Sequence, residues 1–392
     1  MPAQDRRRRR RPRVRANIRA SNELGCSPGG GRMRTHVCLS GREVYSILVS
    51  WQWYSAQKDM LQTRLCRELG IDHPILSAPL GGGNAGPELA ASVSDAGGLG
   101  FLGMGGLPAS AISEQIRETR RRTSKPFGVG LLIPRLSGGE VDACVEERVP
   151  VLLLFWGDVT PYVEKAKQAG IRVFAQVGSV AEAKAAALAG VDSIVAQGFE
   201  AGGHVRGTTS LVALVPAVRN AVAPLPVIAA GGVATGRGLV AALGLGADAV
   251  MMGTRFVASE ESRACPAYKQ RIVRACAEDT VHTELFDIGW PEAAHRVLRN
   301  KAVDEWERAG RPRSGQRPGE GTIIGRMPVG GTSADISRYS VRTPMIGFEG
   351  DLEYTALYAG ESCGLVSDIK PAAAIVRDVV AEAEAVLSEV QA

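Results

Sequence analysis

The residues best suited to chemistry lie between 197 and 210, in the segment QGFEAGGHVRGTTS. His204 directly follows the pair Gly202 and Gly203. Glycine pairs let a backbone approach another group closely, and an imidazole transfers protons near neutral pH. Two interpretations compete: a site for proton or anion chemistry, or a surface loop that contains a histidine. The surrounding elements decide between them.

Charge separates a basic N-terminal segment from a mildly acidic body. The chain has 392 residues, of which 45% are hydrophobic, enough for one large core. The first 60 residues carry 13 Lys and Arg against 4 Asp and Glu, whereas the other 332 carry 33 against 37. Residues 1–59 include DRRRRRRPRVRANIRAS and show no sustained periodicity. We therefore predict a disordered basic leader over 1–59.

Three interpretations of the leader remain open: a nucleic-acid arm, an organellar presequence, or a non-native extension with the working protein starting near Met60. We favour the extension, because the regular pattern begins only at MLQTRLCRELGIDHPILSAP. No aromatic residue interrupts the arginine run, so we expect no nucleic-acid partner. The expected partners are small molecules, and assembly into a homo-oligomer stays open.

Cysteine spacing and hydropathy exclude several classes of protein. The seven cysteines form no CxxC pair and no Cys/His cluster at metal-ligand spacing. This pattern predicts reduced thiols, no metal site and a cytoplasmic location. No run of 18 apolar residues occurs, so we predict no transmembrane helix.

Short apolar runs recur at nearly constant spacing from residue 74 onward. They are PILSAP (74–79), GLGFLGMG (98–105), KPFGVGLLI (125–133), VPVLLLFWG (149–157), RVFAQVG (172–178), SIVAQGF (193–199), PVIAAGG (226–232) and AVMMGTRF (249–256). Such continuous runs suit strands that are buried on both faces of a parallel sheet. Helical patterns with Ser, Thr or Pro at the start and Gly at the end separate most of them. The sequence therefore predicts an α/β fold, a (β/α)₈ TIM barrel, with a doubly wound open sheet as the alternative.

A long insertion separates the eighth strand from the final helical pattern at 371–390. We assign the barrel to 60–257 and 346–392, and the insertion to 258–345. Its segments 266–280 and 290–307 have helical patterns. We predict that the insertion is a partly helical cap over the barrel mouth, which shapes a pocket and excludes water. The alternative is an insertion with no role in the site.

Glycines end the seventh and eighth strands, where barrels of this class commonly bind phosphate. Strand seven ends at Gly231 and Gly232, and a helix is predicted to open near Thr235. Strand eight ends in Met251, Met252, Gly253 and Thr254. Glycine turns let backbone N–H groups converge on phosphate oxygens, and a helix N-terminus adds partial positive charge. These turns predict a phosphate-bearing cofactor.

Strand six ends at Gln197, so Gln197 and the nearby His204 are both predicted at the rim of the barrel, where the carboxyl ends of the strands lie. The amide of Gln197 is suited either to a polar ring edge or to the backbone of its own loop. The rim position favours a functional role for His204. We assign none to the other histidines: His73 precedes strand one, His282 lies in the insertion, and His295 falls in a predicted surface helix.

The barrel region resembles the nitronate monooxygenase (2-nitropropane dioxygenase) family of FMN-dependent TIM barrels. The matching stretches are HPILSAPLGG (73–82), SDAGGLGFLG (94–103), AQGFEAGGHVRG (196–207), VIAAGGVATGRG (227–238), GADAVMMGTRF (246–256) and YAGESCGLVSDIKPAAAIVRDVV (358–380). The resemblance covers about 61–390. It departs at Gly130 and Met251, where family members often have Asn and Gln.

The resemblance implies oxidative denitrification, in which an alkyl nitronate and O₂ give a carbonyl compound and nitrite. It implies His204 as the active-site residue that contacts the nitronate or takes a proton from a nitroalkane. The implied FMN-binding residues are Ala78, Pro79, Gln197, Gly202, Gly203, Gly231, Gly232, Met251, Met252, Gly253 and Thr254. The alternatives are an NADH-dependent flavin enoyl-acyl carrier protein reductase, another FMN oxidoreductase, or a non-catalytic flavin-binding barrel.

Overall fold

The computed structural model describes residues 61–329 and 332–391. The leader that we predict over 1–59 lies outside this range.

Eight parallel strands form the central sheet. They are β1 (Ile75–Ser77), β2 (Gly100–Gly103), β3 (Phe127–Leu132), β4 (Val151–Phe155), β5 (Arg172–Val177), β6 (Ser193–Gln197), β8 (Val227–Ala230) and β9 (Ala249–Met252). They pair in the order β1-β9-β8-β6-β5-β4-β3-β2. The short strand β7 (Gly203–His204) lies in another sheet, so the predicted strands seven and eight of the barrel are β8 and β9. The Ser77 N–H donates to the Leu99 carbonyl at 3.1 Å, which brings β1 against the start of β2. Each strand falls within one of the eight apolar runs, so the predicted TIM barrel is confirmed.

The strands read as continuous apolar runs because both of their faces are buried. Successive residues of a strand point to opposite sides. In β4, Leu153 lies in the barrel interior, whereas Leu152 and Leu154 pack in the layer between sheet and helices. In β9, Met251 lies in the interior and Met252 in the outer layer.

Helices cover the outside of the sheet and also occur in the segment 258–345. They are α1 (Arg64–Leu69), α2 (Pro87–Asp95), α3 (Ala109–Arg122), α4 (Glu140–Glu146), α5 (Thr160–Gln168), α6 (Val180–Leu188), α7 (Leu211–Val222), α8 (Gly236–Gly244), α9 (Thr254–Val257), α10 (Pro266–Arg274), α11 (Lys301–Arg308) and α12 (Ala372–Gln391). The predicted start near Thr235 is confirmed, since its hydroxyl accepts from the Gly238 N–H at 3.1 Å and caps α8. The sequence patterns missed α4 and α7, and α7 contains Pro216, which interrupts a helical pattern.

The segment 258–345 contains more strand than its sequence suggested. Its strands are β10 (Thr280–Thr283), β11 (His295–Leu298), β12 (Ile323–Val329) and β13 (Thr332–Ser337), and β14 (Glu349–Gly350) follows. One antiparallel sheet has the order β10-β11-β7, and another has the order β13-β12-β14. Through β7, the first sheet includes the loop that carries His204.

The prediction of a surface helix around His295 is wrong. His295 lies on β11 and its side chain is fully buried. The segment 290–307 contains β11 and nearly all of α11, and their apolar residues together resemble a single helical period. The strand forms because β11 pairs with β10 on one side and with β7 on the other.

None of the helices in the described residues combines the length and apolar character needed to cross a membrane. In the same part of the chain, no group of three or more His, Cys, Asp or Glu side chains is arranged to hold a metal ion.

Candidate active site

A cavity of about 940 Å³ opens at the carboxyl ends of the barrel strands. Residues next to the ends of β1, β2, β3, β6, β8 and β9 form one part of its wall. Residues of the segment 258–345 form another part, including Trp290, Met327 and Arg342. Barrel enzymes carry out their chemistry at this end of the sheet. The cavity is therefore the candidate active site.

Most of the predicted site residues meet in this cavity. Its lining includes Ala78, Pro79, Gln197, Gly202, Gly203, His204, Gly231, Gly232, Met251, Gly253 and Thr254. Met252 is the exception, because its side chain faces the outer apolar layer. Its carbonyl accepts from the Ala78 N–H at 2.9 Å.

The Gln197 side chain is bonded to the backbone of its own loop. Its Nε2 donates to the His204 carbonyl at 2.9 Å, and its Oε1 accepts from the Arg206 N–H at 3.2 Å. Of the two roles open to this amide in the sequence, the structure shows the loop-bracing one. Gln197 therefore helps to fix the backbone on which His204 is carried.

The predicted phosphate end is built by glycine turns rather than by the start of α8. The Gly236 N–H at that helix start donates to the Glu382 carboxylate at 2.7 Å, so an acidic side chain already occupies it. Gly231 and Gly232 have φ of 102° and 70°, a region that favours glycine. Together with Gly253 they line the cavity with little side-chain bulk.

Gly202 holds the loop of His204 against the chain near Gly360. A Cβ on Gly202 would lie 2.2 Å from the Gly360 nitrogen, so the approach requires glycine. The Gly360 N–H in turn donates to the Thr254 hydroxyl oxygen at 2.9 Å. Thr254 thus accepts a bond from the protein and keeps its own hydroxyl hydrogen for another acceptor.

At Gly130, where family members often have Asn, this structure leaves no room for a side chain. A Cβ at this position would lie 2.3 Å from the Pro79 Cβ. An asparagine here would require Pro79 to move. The Pro79 ring therefore forms the wall of the cavity at this point. Met251 also lines the cavity, and it belongs to the barrel interior.

His204 lies in a cluster of aromatic rings. The Trp290 ring stacks on it with centroids 4.0 Å apart and planes 26° from parallel. The rings of Tyr358 and Trp156 lie 5.3 and 6.1 Å from it. Trp156 follows β4 and has φ of 67°, a conformation that bulky residues rarely adopt.

Burial keeps both paired imidazoles neutral. His204 and His295 are register partners on β7 and β11. Burial, aided by His295 and the Arg135 charge, holds the pKa of His204 well below its usual range. Burial also lowers the pKa of His295 to about 4. At neutral pH, His204 is therefore an uncharged imidazole able to accept a proton.

Three buried polar atoms on cavity-lining residues have no hydrogen-bond partner among the described residues. They are Asn84 Oδ1, Gln115 Oε1 and His204 Nε2. Buried polar groups in folded proteins are nearly always paired, so an unpaired set around one cavity points to a bound ligand. Glycine turns at one end and polar acceptors along the wall fit a cofactor with a phosphate and a polar ring.

Sequence reasoning missed several residues of the site. Arg135 follows β3 and Trp156 follows β4, so the rule that located Gln197 also applied to them. Trp290 and Tyr358 lie far along the chain, and nothing in their sequence neighbourhood marks them as partners of His204.

Comparison with known proteins places the chain in a family. The family profile described as nitronate monooxygenase matches residues 62–151 and 137–382. A Mycobacterium tuberculosis relative, (3aS,4S,5R,7aS)-5-hydroxy-7a-methyl-1-oxo-octahydro-1H-indene-4-carboxyl-CoA dehydrogenase, is 36% identical over 256 residues, 64% of this chain and 70% of that protein. A probable nitronate monooxygenase of Staphylococcus aureus is 32% identical over 291 residues, covering 62% of this chain and 80% of that protein.

The solved structure of FabK from Thermotoga maritima has the same fold, with a TM-score of 0.68 at 35% identity. The match covers 84% of this chain and 98% of that one. Together these matches confirm the resemblance found in the sequence. The chain belongs to the nitronate monooxygenase family and is an oxidoreductase, and this family implies a flavin cofactor.

Proposed function

We propose that this chain is a cytoplasmic FMN-dependent enzyme that oxidises alkyl nitronates with O₂ to a carbonyl compound and nitrite. One observation carries the proposal. The His204 Nε2 is buried, has no hydrogen-bond partner in the part of the chain that the structure describes, and belongs to a residue lining the cavity at the carboxyl ends of the strands.

The residues around the cavity fit FMN. Gly231, Gly232, Gly253 and Thr254 would hold its phosphate, with Thr254 donating its free hydroxyl hydrogen. Ala78 and Pro79 would contact the ring, beside the narrow space that Gly130 leaves. FMN, when bound, supplies the electron transfer, and the protein orients the substrate and excludes water.

His204 acts on the proton of the substrate. Because its imidazole is neutral at physiological pH, its unpaired nitrogen accepts the acidic Cα proton of a nitroalkane and leaves the nitronate. The anion then stabilises the protonated imidazole beside it. Trp290, stacked on the ring, limits its rotation and its contact with water.

A second candidate is an oxidoreductase of acyl thioesters, which includes the enoyl-acyl carrier protein reductase alternative. The size of the cavity favours it, since 940 Å³ lies near the upper end of the usual range for ligand sites, roughly 300–1,000 Å³. Met327, Met345 and Ile346 add an apolar wall from the later part of the chain. The name of the Mycobacterium tuberculosis relative gives a carboxyl-CoA compound as that protein's substrate.

Anaerobic absorbance spectra of the FMN-loaded protein separate the candidates. Bleaching of the flavin by an alkyl nitronate, followed by nitrite release on admission of air, supports the first. Bleaching by NADH alone, with no response to nitronate, favours the reductase. A colourless protein that takes up no FMN would refute both and leave a barrel without its cofactor.

Substitution of His204 tests the assigned proton transfer. We expect His204→Asn to retain FMN but to lower turnover of neutral nitroalkanes by about 10²–10⁴-fold, the usual contribution of a positioned base. His282→Asn is the matched control, because His282 lies on β10 against Phe199 and does not line the cavity. Equal turnover in wild type and His204→Asn would disprove the role.

A further inference from the structure

Arg135 places a cation in the cavity wall. It ends a short 3₁₀ turn, Ile133–Arg135, that directly follows β3. A Cβ on Gly106 would lie 3.2 Å from Arg135 Nη2, so the loop after β2 leaves just enough room for the guanidinium. The side chain is partly buried and lines the same cavity as His204.

One hydrogen bond ties Arg135 to the segment that covers His204. Its Nη1 donates to the Gly289 carbonyl. The next residue, Trp290, stacks on the His204 ring. The guanidinium is thereby held beside the imidazole, and its charge contributes to the low pKa of His204.

No ion pair within the described residues balances the charge of Arg135. Within residues 61–329 and 332–391, no carboxylate lies within 4.0 Å of its guanidinium. Arg263, another arginine of the lining, pairs with Glu88 at 3.2 Å. Arg342 makes no such pair in the described part of the chain either, but it is exposed, whereas Arg135 is partly buried. Among the described residues that line the cavity, Glu114 is the one with a carboxylate, and it is exposed on α3 and forms no ion pair with Arg135.

Most of the hydrogen-bonding capacity of Arg135 is also unused. A guanidinium has five N–H donors, and the bond to Gly289 is the one that Arg135 makes within the described residues. Taking a cation out of bulk water is unfavourable unless an anion or several acceptors compensate for it. An anionic ligand in the cavity would supply the acceptors that complete this arrangement.

We propose that Arg135 is the binding residue for a small planar oxyanion, which it holds through paired N–H···O bonds. The planar fork of a guanidinium matches two oxygens of a carboxylate-like group. The NO₂ group of a nitronate has this shape and charge. The inference deepens the proposed nitronate oxidation and assigns the anionic end of its substrate to Arg135.

Nitrate and benzoate are suitable probes, because both present planar oxygens and neither is a nitronate. Their dissociation constants are measured by calorimetry on the FMN-loaded full chain. We expect Arg135→Gln to weaken nitrate binding about 10- to 100-fold, the range of a hydrogen bond to a charged group. Arg135→Lys keeps the positive charge but loses the planar pair of N–H donors, so it should also bind nitrate more weakly than wild type. Arg342→Gln, the same charge change elsewhere in the lining, should bind nitrate like wild type.

The outcomes separate this inference from the proposed function. No nitrate binding by wild type, or equal binding by wild type and both Arg135 variants, overturns the role of Arg135. Equal losses in Arg135→Gln and Arg342→Gln also overturn it, because they indicate general positive charge. Nitrate binding that depends on Arg135, in an enzyme that does not oxidise nitronates, refutes the proposed substrate but retains the planar-anion site.

Discussion

Acid should destabilise this protein through His295. The Phe286 N–H donates to His295 Nε2 at 3.3 Å, so that nitrogen must be unprotonated. Nδ1 therefore carries the proton and donates to the Ala293 carbonyl at 2.8 Å. The side chain is fully buried, so protonation of Nε2 breaks a hydrogen bond and places a charge in an apolar region.

The size of the effect follows from the two pKa values. Folding lowers the pKa of His295 from 6.5 to about 4, and each unit corresponds to about 1.4 kcal/mol. The unfolded chain binds the proton first as the pH falls. The stabilising contribution is therefore complete above pH 6.5 and is lost progressively down to about pH 4. From His295 alone, the free energy of unfolding should fall by about 3 kcal/mol over this range.

Denaturant unfolding at a series of pH values between about 7 and 4 measures this slope. The informative quantity is the difference between wild type and His295→Gln, because other groups titrate in both. We expect the variant to be less stable at pH 7 but to lose about 3 kcal/mol less on acidification. Val297→Ala, on the same strand, should lower stability by a similar amount at every pH. A His295→Gln slope equal to that of wild type would refute the reasoning.

Two further predictions concern the loop of His204 and its cover. Gly202→Ala should destabilise the fold by at least about 1–3 kcal/mol in denaturant unfolding and reduce flavin retention, since the new Cβ meets the Gly360 backbone. Gly244→Ala, at the end of α8 and outside the cavity lining, is the matched control, because a Cβ there meets nothing within 4 Å, and it should lower neither measurement. Trp290→Ala should expose the His204 ring to water, raise its pKa, and move the acidic limb of the kcat/KM profile to higher pH. Trp290→Phe should shift that limb less, and an unmoved limb in Trp290→Ala would contradict the assigned cover.

The barrel was predictable from sequence because its signals are local. Each buried strand forms one apolar run, and each run ends at the rim where ligands bind. That rule alone located Gln197, Gly231 and Thr254 on one cavity. The alternation of side chains along a strand explains why the Met252 side chain does not line the cavity, since its neighbour Met251 occupies the inward-facing position.

The features that the sequence did not predict depend on pairings between distant segments. His295 was misassigned because a four-residue strand followed closely by a helix has too few periods to separate the two patterns. Arg135 follows the end of β3, where the strand-end rule applied, but the sequence could not show that no carboxylate of the described residues lies near it in space. Trp290 was missed because its stacking partner, His204, lies 86 positions earlier in the sequence.

The position of His204 follows from three constraints that act on one short loop. Gln197 braces the backbone from the end of β6, and the close approach of Gly202 to Gly360 fixes where the loop turns. Pairing of β7 with β11 then sets the register, which puts His204 opposite His295. A histidine held by three separate segments loses little further entropy when substrate binds, which is the preorganisation that a catalytic base requires. Because β11 belongs to the segment 258–345, that segment fixes the position of the proposed base as well as part of the cavity wall.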